Sequence, residues 1–256
     1  MSGLYSIAIA AEIATVTMNR PEARNALSLE LITALEEAIA RIDRETEGDS
    51  TASGKVRVMI LAGAGKVFCA GMDLKGVLAD AKKMGQMLHG LSRTLRAIRR
   101  LPIPTIARVQ GAAIGGGCGL MVVTDFAITH ADAKVGYPEV SLGVSPAVVA
   151  PWLMRKIGPG RARALLLAGG TMTGREGFEL GLATHLAERE SLDAAAMDLA
   201  RNLAAGGPAA MAATKQWLNE LDGSTEDALF EKAAEISAQV IAGPEAQSRL
   251  RKAIGE

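Results

Sequence analysis

The sequence predicts an α/β fold, and three observations carry that prediction. Short segments rich in Ile, Val and Thr alternate with segments whose apolar residues recur at helical spacing. Two strand–loop–helix units follow one another, each with a glycine cluster between strand and helix. Beyond Pro146 the character turns helical, which sets a helical C-terminal region at 195–256 against a mixed core at 1–194. That tail is small and apolar, and is expected to pack on its own core or on a neighbouring subunit.

Taken in order, "LYSIAIA" and "EIATVTMN" read as a strand pair turning near Ala11 and Glu12. "RPEARNA" is a loop, broken by Pro21. Ser28 is placed to cap a helix in which Leu31, Leu35, Ile39 and Ile42 share one face. After the polar loop "EGDSTASGK", "VRVMILAG" is a buried strand. "AGKVFCAGMDLKG" is a loop of small residues around one acid. Met84, Met87, Leu88, Leu91, Leu95 and Ile98 then form a helical stripe, ended by Pro102 and Pro104. "TIARVQG" is a strand, "GGGCGLMVV" a helix opening at glycines, and "DFAITH" another strand. Thr173 to Glu176 fit a capping box. Leu192, Ala196, Leu199 and Leu203 share a helical face, and two more helices follow the break at "AAGGPAAM".

Composition removes several classes. Among 256 residues, Lys plus Arg and Asp plus Glu both number 28, so the chain is not a globally basic nucleic-acid binder. Aromatics are 3%, too few for base-stacking platforms. Cys69 and Cys118 are far apart, which points away from a disulfide framework and towards a reducing cytoplasm. The N-terminus lacks the basic region of a signal peptide, and no uncharged run is long enough to cross a membrane. His89, His130 and His185 are isolated, without metal-ligand spacing, and read as surface or capping residues.

The motifs leave alternatives. The glycine clusters fit neither the dinucleotide nor the P-loop spacing. They read either as backbone N–H donors for an anion or as close helix-on-sheet packing. Asp73 lies in a loop. Glu139, after Pro138, is either a partly buried acid/base or an exposed loop carboxylate. Arg93, Arg96, Arg99 and Arg100 read as a solvated helix face, or as a footprint for phosphates or RNA.

Five segments, in order, resemble the enoyl-CoA hydratase/isomerase (crotonase) family: "NRPEARNALS", "GKVFCAGMDLK", "VQGAAIGGGCGL" with "TDFAI", "YPEVSLGVSP" and "TGREGFELGLATHL". The resemblance spans almost the whole chain. It implies a spiral of ββα units with a helical C-terminal region, assembled as a homotrimer or a dimer of trimers. It implies an acyl-CoA thioester substrate, with coenzyme A arriving as part of that substrate and no separate cofactor or metal. It places the two oxyanion-holding amides on Met72 and Gly116, and the acid/base on Glu139. Ala70 lies beside the first amide. Asp73, Leu74 and Lys75 would line the adenine and pantetheine path, with Arg24 and Ala26 nearby.

One position departs from the family. Many of its hydratases carry a second glutamate just after the glycine run, where this chain has Gly119. A single glutamate suffices to move a double bond between positions 2 and 3, since the base returns the proton it takes. "LGVSPAVVAPWLMRKIG" resembles instead a hydratase branch acting on branched or glutaconyl-type esters, in which a small residue occurs at that position. The expectation is hydration of a 2-enoyl-CoA, with isomerisation as the alternative. A non-catalytic acyl-CoA or RNA binder is a third reading, from another class.

Overall fold

The strand pair at the N-terminus forms as its residues dictate. β1 (Tyr5–Ala10) and β2 (Ile13–Met18) are antiparallel with Ala10 opposite Ile13. The two-residue turn takes positive φ at both Ala11 and Glu12, the conformation that matches strand twist in a hairpin. The computed structural model describes residues 3–46, 55–73, 78 and 80–255. Through them follow α1 (Leu29–Arg44), β3 (Val58–Gly63), α2 (Ala81–Arg100), β4 (Thr105–Val109), β5 (Ala112–Ile114), α3 (Gly116–Val123), β6 (Phe126–Thr129) and β7 (Lys134–Gly136). Next come α4 (Ala150–Ile157), α5 (Pro159–Ala168), β8 (Thr171–Thr173), α6 (Gly174–Leu180), β9 (His185–Leu186) and α7 (Leu192–Ala204). α8 (Pro208–Leu221), α9 (Asp227–Ala242) and α10 (Pro244–Ile254) complete the chain.

One sheet has the order β1-β2-β3-β4-β6-β9, parallel from β2 onward, and a second has the order β5-β7-β8. The first sheet is covered on both faces. On β3, Met59 and Leu61 face the large core with α1, α2 and α3, while Val58 and Ile60 face the opposite way. That opposite face is closed by Leu192, Ala196 and Ala200 of α7. The period of two along a wholly buried strand is what a covered parallel sheet requires. Residue 195, the expected border of the C-terminal region, therefore lies inside a helix seated on the sheet.

The helix ends are set by their caps. Ser28 Oγ accepts from the Leu31 amide at 3.2 Å. In the Thr173–Glu176 capping box, the Glu176 amide donates to Thr173 Oγ1 and the Thr173 amide to Glu176 Oε2. Asp80 caps α2 by accepting from the Lys82 and Lys83 amides.

Two sequence expectations are corrected. The α2 arginines form no bare basic face: Arg93 pairs with Glu36, Arg96 and Arg100 with Asp227, and Arg99 with Asp222. Asp222 and Asp227 flank the α8–α9 turn, so Arg96, Arg99 and Arg100 fasten the helical tail onto α2, while Arg93 ties α2 to α1. His130 is buried, not a surface residue; it ends "DFAITH" beneath the Asp132 turn, and burial lowers its pKa. The tail is further held by Lys215 of α8, whose buried Nζ donates to Asp125 Oδ2 at 2.7 Å and to the Ile103 carbonyl.

Candidate active site

The first loop of the site is shaped by hydrogen bonds on both of its edges. Cys69 bridges Ala113: its amide donates to the Ala112 carbonyl at 3.0 Å, and its carbonyl accepts from the Ile114 amide at 3.0 Å. Along the other edge, Leu27 donates to the Gly71 carbonyl at 2.8 Å and accepts from the Asp73 amide at 3.0 Å. In such a parallel bridge the amide of the intervening residue, Met72, points away from Leu27. Gly71 has φ +92°, and a Cβ there would come within 3.0 Å of the Ile114 carbonyl oxygen. Buried Asn25 locks the loop from behind, donating to the Ala64 and Val67 carbonyls at 3.0 and 2.8 Å.

The glycine run divides into separate tasks. Gly115 has φ +54° and ψ −119°, a backbone open mainly to glycine, and its amide donates to Gly136. The first helical hydrogen bond runs from the Gly119 amide to the Gly115 carbonyl, so Gly116 at the first helical position has an amide with no intrahelical acceptor. Gly117 packs so closely on the first loop that a Cβ would stand 2.5 Å from the Cys69 carbonyl oxygen. Close packing and free donors are thus both present, on neighbouring residues.

Between the loops and the α9 wall lies a cavity of about 100 Å³ lined by Ala70, Met72, Gly116 and Glu139, with Leu91, Val144, Val149 and Ile241 among its apolar walls. Glu139 opens a 3-10 turn that spans Glu139–Leu142. Its Oε2 is buried and makes no protein hydrogen bond. Its Oε1 sits so near Gly115 that a Cβ there would come within 2.9 Å. Burial raises the carboxyl pKa to about 7, against the smaller opposing pull of a backbone hydrogen bond. The exposed-carboxylate reading is therefore overturned. Among the described lining residues, no other side chain is an acid, a base or a thiol.

The structure brings Ala70, Met72, Gly116 and Glu139 together, while Arg24, Ala26 and Asp73 are not part of the cavity lining. Arg24 is exposed, in the left-handed region, and its carbonyl accepts from the Ala70 amide. Asp73 is engaged by Arg20 at 3.2 Å, and Arg20 also donates to the Ala26 carbonyl at 2.8 Å. Leu74 and Lys75 lie outside the described residues. Cys69 and Cys118 are buried thiols pushed up to about 12 by desolvation, which suits packing and not nucleophilic attack. Among the described residues, no group of three His, Cys, Asp or Glu is arranged to hold a metal ion.

Sequence reading missed Val149, Ser237 and Ile241. Ser237 of α9 lines the cavity, accepts from the Val148 amide at 3.2 Å and donates to the Ser145 carbonyl at 2.9 Å. It thereby fixes the segment that carries Val149. A buried serine among apolar helical positions is the only trace of this in the sequence.

A model of the enoyl-CoA hydratase/isomerase family matches residues 8–254. The chain is 36% identical over 243 residues to an enoyl-CoA hydratase of Mycobacterium tuberculosis, covering 92% of this chain and 88% of that protein. It is 30% identical over 290 aligned residues to a mitochondrial methylglutaconyl-CoA hydratase of Pyricularia oryzae, covering 95% and 80%. Among solved structures it superposes on an enoyl-CoA hydratase from Bacillus halodurans with TM-score 0.86 and 27% identity, over 97% of this chain and 99% of that one.

Proposed function

The chain belongs to the enoyl-CoA hydratase/isomerase family, and from that premise we propose that it adds water to a 2-enoyl-CoA with Glu139 as its single acid/base. The observation that carries the assignment is one buried carboxyl in a largely apolar cavity whose lining also includes Met72 and Gly116. Ionised Glu139 takes a proton from water as the water oxygen bonds to C3. The C2=C3 π pair shifts to form a C1=C2 bond and the carbonyl π pair moves onto the thioester carbonyl oxygen, where the two amides hold the enolate. Glu139 then returns the proton to C2. Fixed donors of this kind are worth about 10²–10³ in rate each. The pKa near 7 lets the same group serve as base and then as acid. No added cofactor enters the scheme, since coenzyme A is part of the substrate.

Isomerisation between 3-enoyl and 2-enoyl esters is the second reading. It is favoured by Gly119, which supplies no second carboxylate to hold water. Reaction of 2-enoyl-CoA and 3-enoyl-CoA panels in heavy-oxygen water separates the two. Label in the product supports hydration; double-bond movement without label selects isomerisation. Binding without either reaction overturns both. The RNA-binding reading loses its motive, because the α2 arginines are paired within the chain.

A homotrimer or dimer of trimers is part of the same proposal. Its support is the exposed apolar surface of Trp217, Leu218 and Leu221 on α8 and Ile236 and Val240 on α9. A cytoplasmic setting is supported by two free cysteines; separately, among the described residues, no helix is long and apolar enough to cross a membrane.

A further inference from the structure

Gly119 is more than a missing carboxylate. It sits in the first turns of α3, fully buried, yet it does not line the cavity. A Cβ built on it would meet Val149 Cγ1 at 2.5 Å, Val149 Cβ at 3.5 Å and Leu95 Cδ1 at 3.7 Å. Val149, by contrast, does line the cavity and is itself buried. The Val149 side chain therefore stands between position 119 and the substrate space. It is not free to swing aside: it precedes α4, its amide donates to the Pro146 carbonyl, and the adjacent Val148 amide is held by Ser237 of α9. A β-branched side chain on a fixed backbone has few rotamers with which to yield.

We infer that Val149 is a specificity-determining residue: it fills the space a side chain at 119 would need, and so holds this site to one acid/base. The inference rests on the acid/base role of Glu139 proposed above. Its steric half stands separately, because it concerns only the packing of two residues.

The test is a double-mutant cycle on the full chain with Gly119→Glu, Val149→Gly and both together. A Gly119→Gln/Val149→Gly protein serves as the uncharged control. Gly119→Glu alone is expected to lower Tm and activity together. Adding Val149→Gly is expected to recover Tm, and adding the carboxylate to raise heavy-oxygen incorporation relative to double-bond movement by on the order of tenfold over the Gln control. The pH dependence of kcat/KM should then show an ionisation that the Gln control lacks. Wild-type Tm in Gly119→Glu alone, or no recovery of Tm in the double variant, overturns the steric half. Recovery of Tm with partition and pH profile identical to the Gln control overturns the catalytic half. A wild-type chain inert toward both enoyl-CoA panels would instead overturn the proposed function, while the Tm cycle still reports on Val149 and Gly119.

Discussion

Glu139 concentrates the chemistry and also a cost in stability. Glu139→Gln keeps the shape but cannot exchange a proton, so kcat should fall by roughly 10²–10⁴ with KM little changed. Steady-state kinetics at saturating ester checks this, and unchanged turnover would refute the role. Because the ionised form starts the proposed reaction, kcat/KM should fall as pH drops through about 7. The stability effect has the opposite sense. The folded carboxyl has its pKa raised from 4.5 to about 7, so the folded state binds the proton more tightly than the unfolded state does. Stability is therefore greatest below the unfolded value and declines as pH rises to the folded one. The Gln variant escapes that decline. At about pH 8 it should be more stable than the parent by on the order of 3 kcal/mol, and should lose that margin below about pH 4.5. Urea titrations at the two pH values measure the difference.

At the scale of elements, the glycine run and the α2 arginines make contrasting claims. Gly115→Ala would impose a side chain on a backbone at φ +54° and push it against Glu139 Oε1. Strain of about 1–3 kcal/mol is expected, with a loss of activity larger than the drop in Tm explains. Equal stability and turnover to the parent would contradict the placement of Glu139. On α8, Lys215→Met would leave Asp125 without its closest cation at a partly buried site. A loss of about 3 kcal/mol is expected, because removing one partner strands the other's charge. These elements also show what a sequence displays. The α1 stripe and the Thr173 box were legible, since helical period and capping are local rules. The pairings of Arg96, Arg99 and Arg100 were not, because their partners Asp222 and Asp227 lie more than a hundred residues away. His130 was misread for the same reason: burial of a lone polar side chain depends on distant packing.

For the whole molecule, the helical tail does two things. Through Ser237 and Ile241 it closes the cavity of its own chain, and through Trp217, Leu218 and Leu221 it presents apolar surface. If that surface joins subunits as proposed, light scattering on the purified protein should give three or six times the chain mass. Leu221→Glu should then shift the mass towards the single chain, with helical content retained. A monomeric parent would remove the proposed assembly.

By itself the sequence determined the order of elements from β1 to β4, the glycine positions and the single carboxyl after Pro138, while the short strands β5, β7, β8 and β9 and the third helix of the tail, α10, were not read from it. Each feature that was read depends on residue type and spacing within one segment: backbone freedom at glycine, period along a strand or helix, caps at helix ends. The tertiary structure decided whether that carboxyl is buried, and what stands where a second one would be. Val149 is thirty residues from Gly119, and no local rule relates them. Only the packing of α3 against the segment before α4, clamped by Ser237, brings them into contact and leaves Glu139 the one acid/base among the described residues of the cavity.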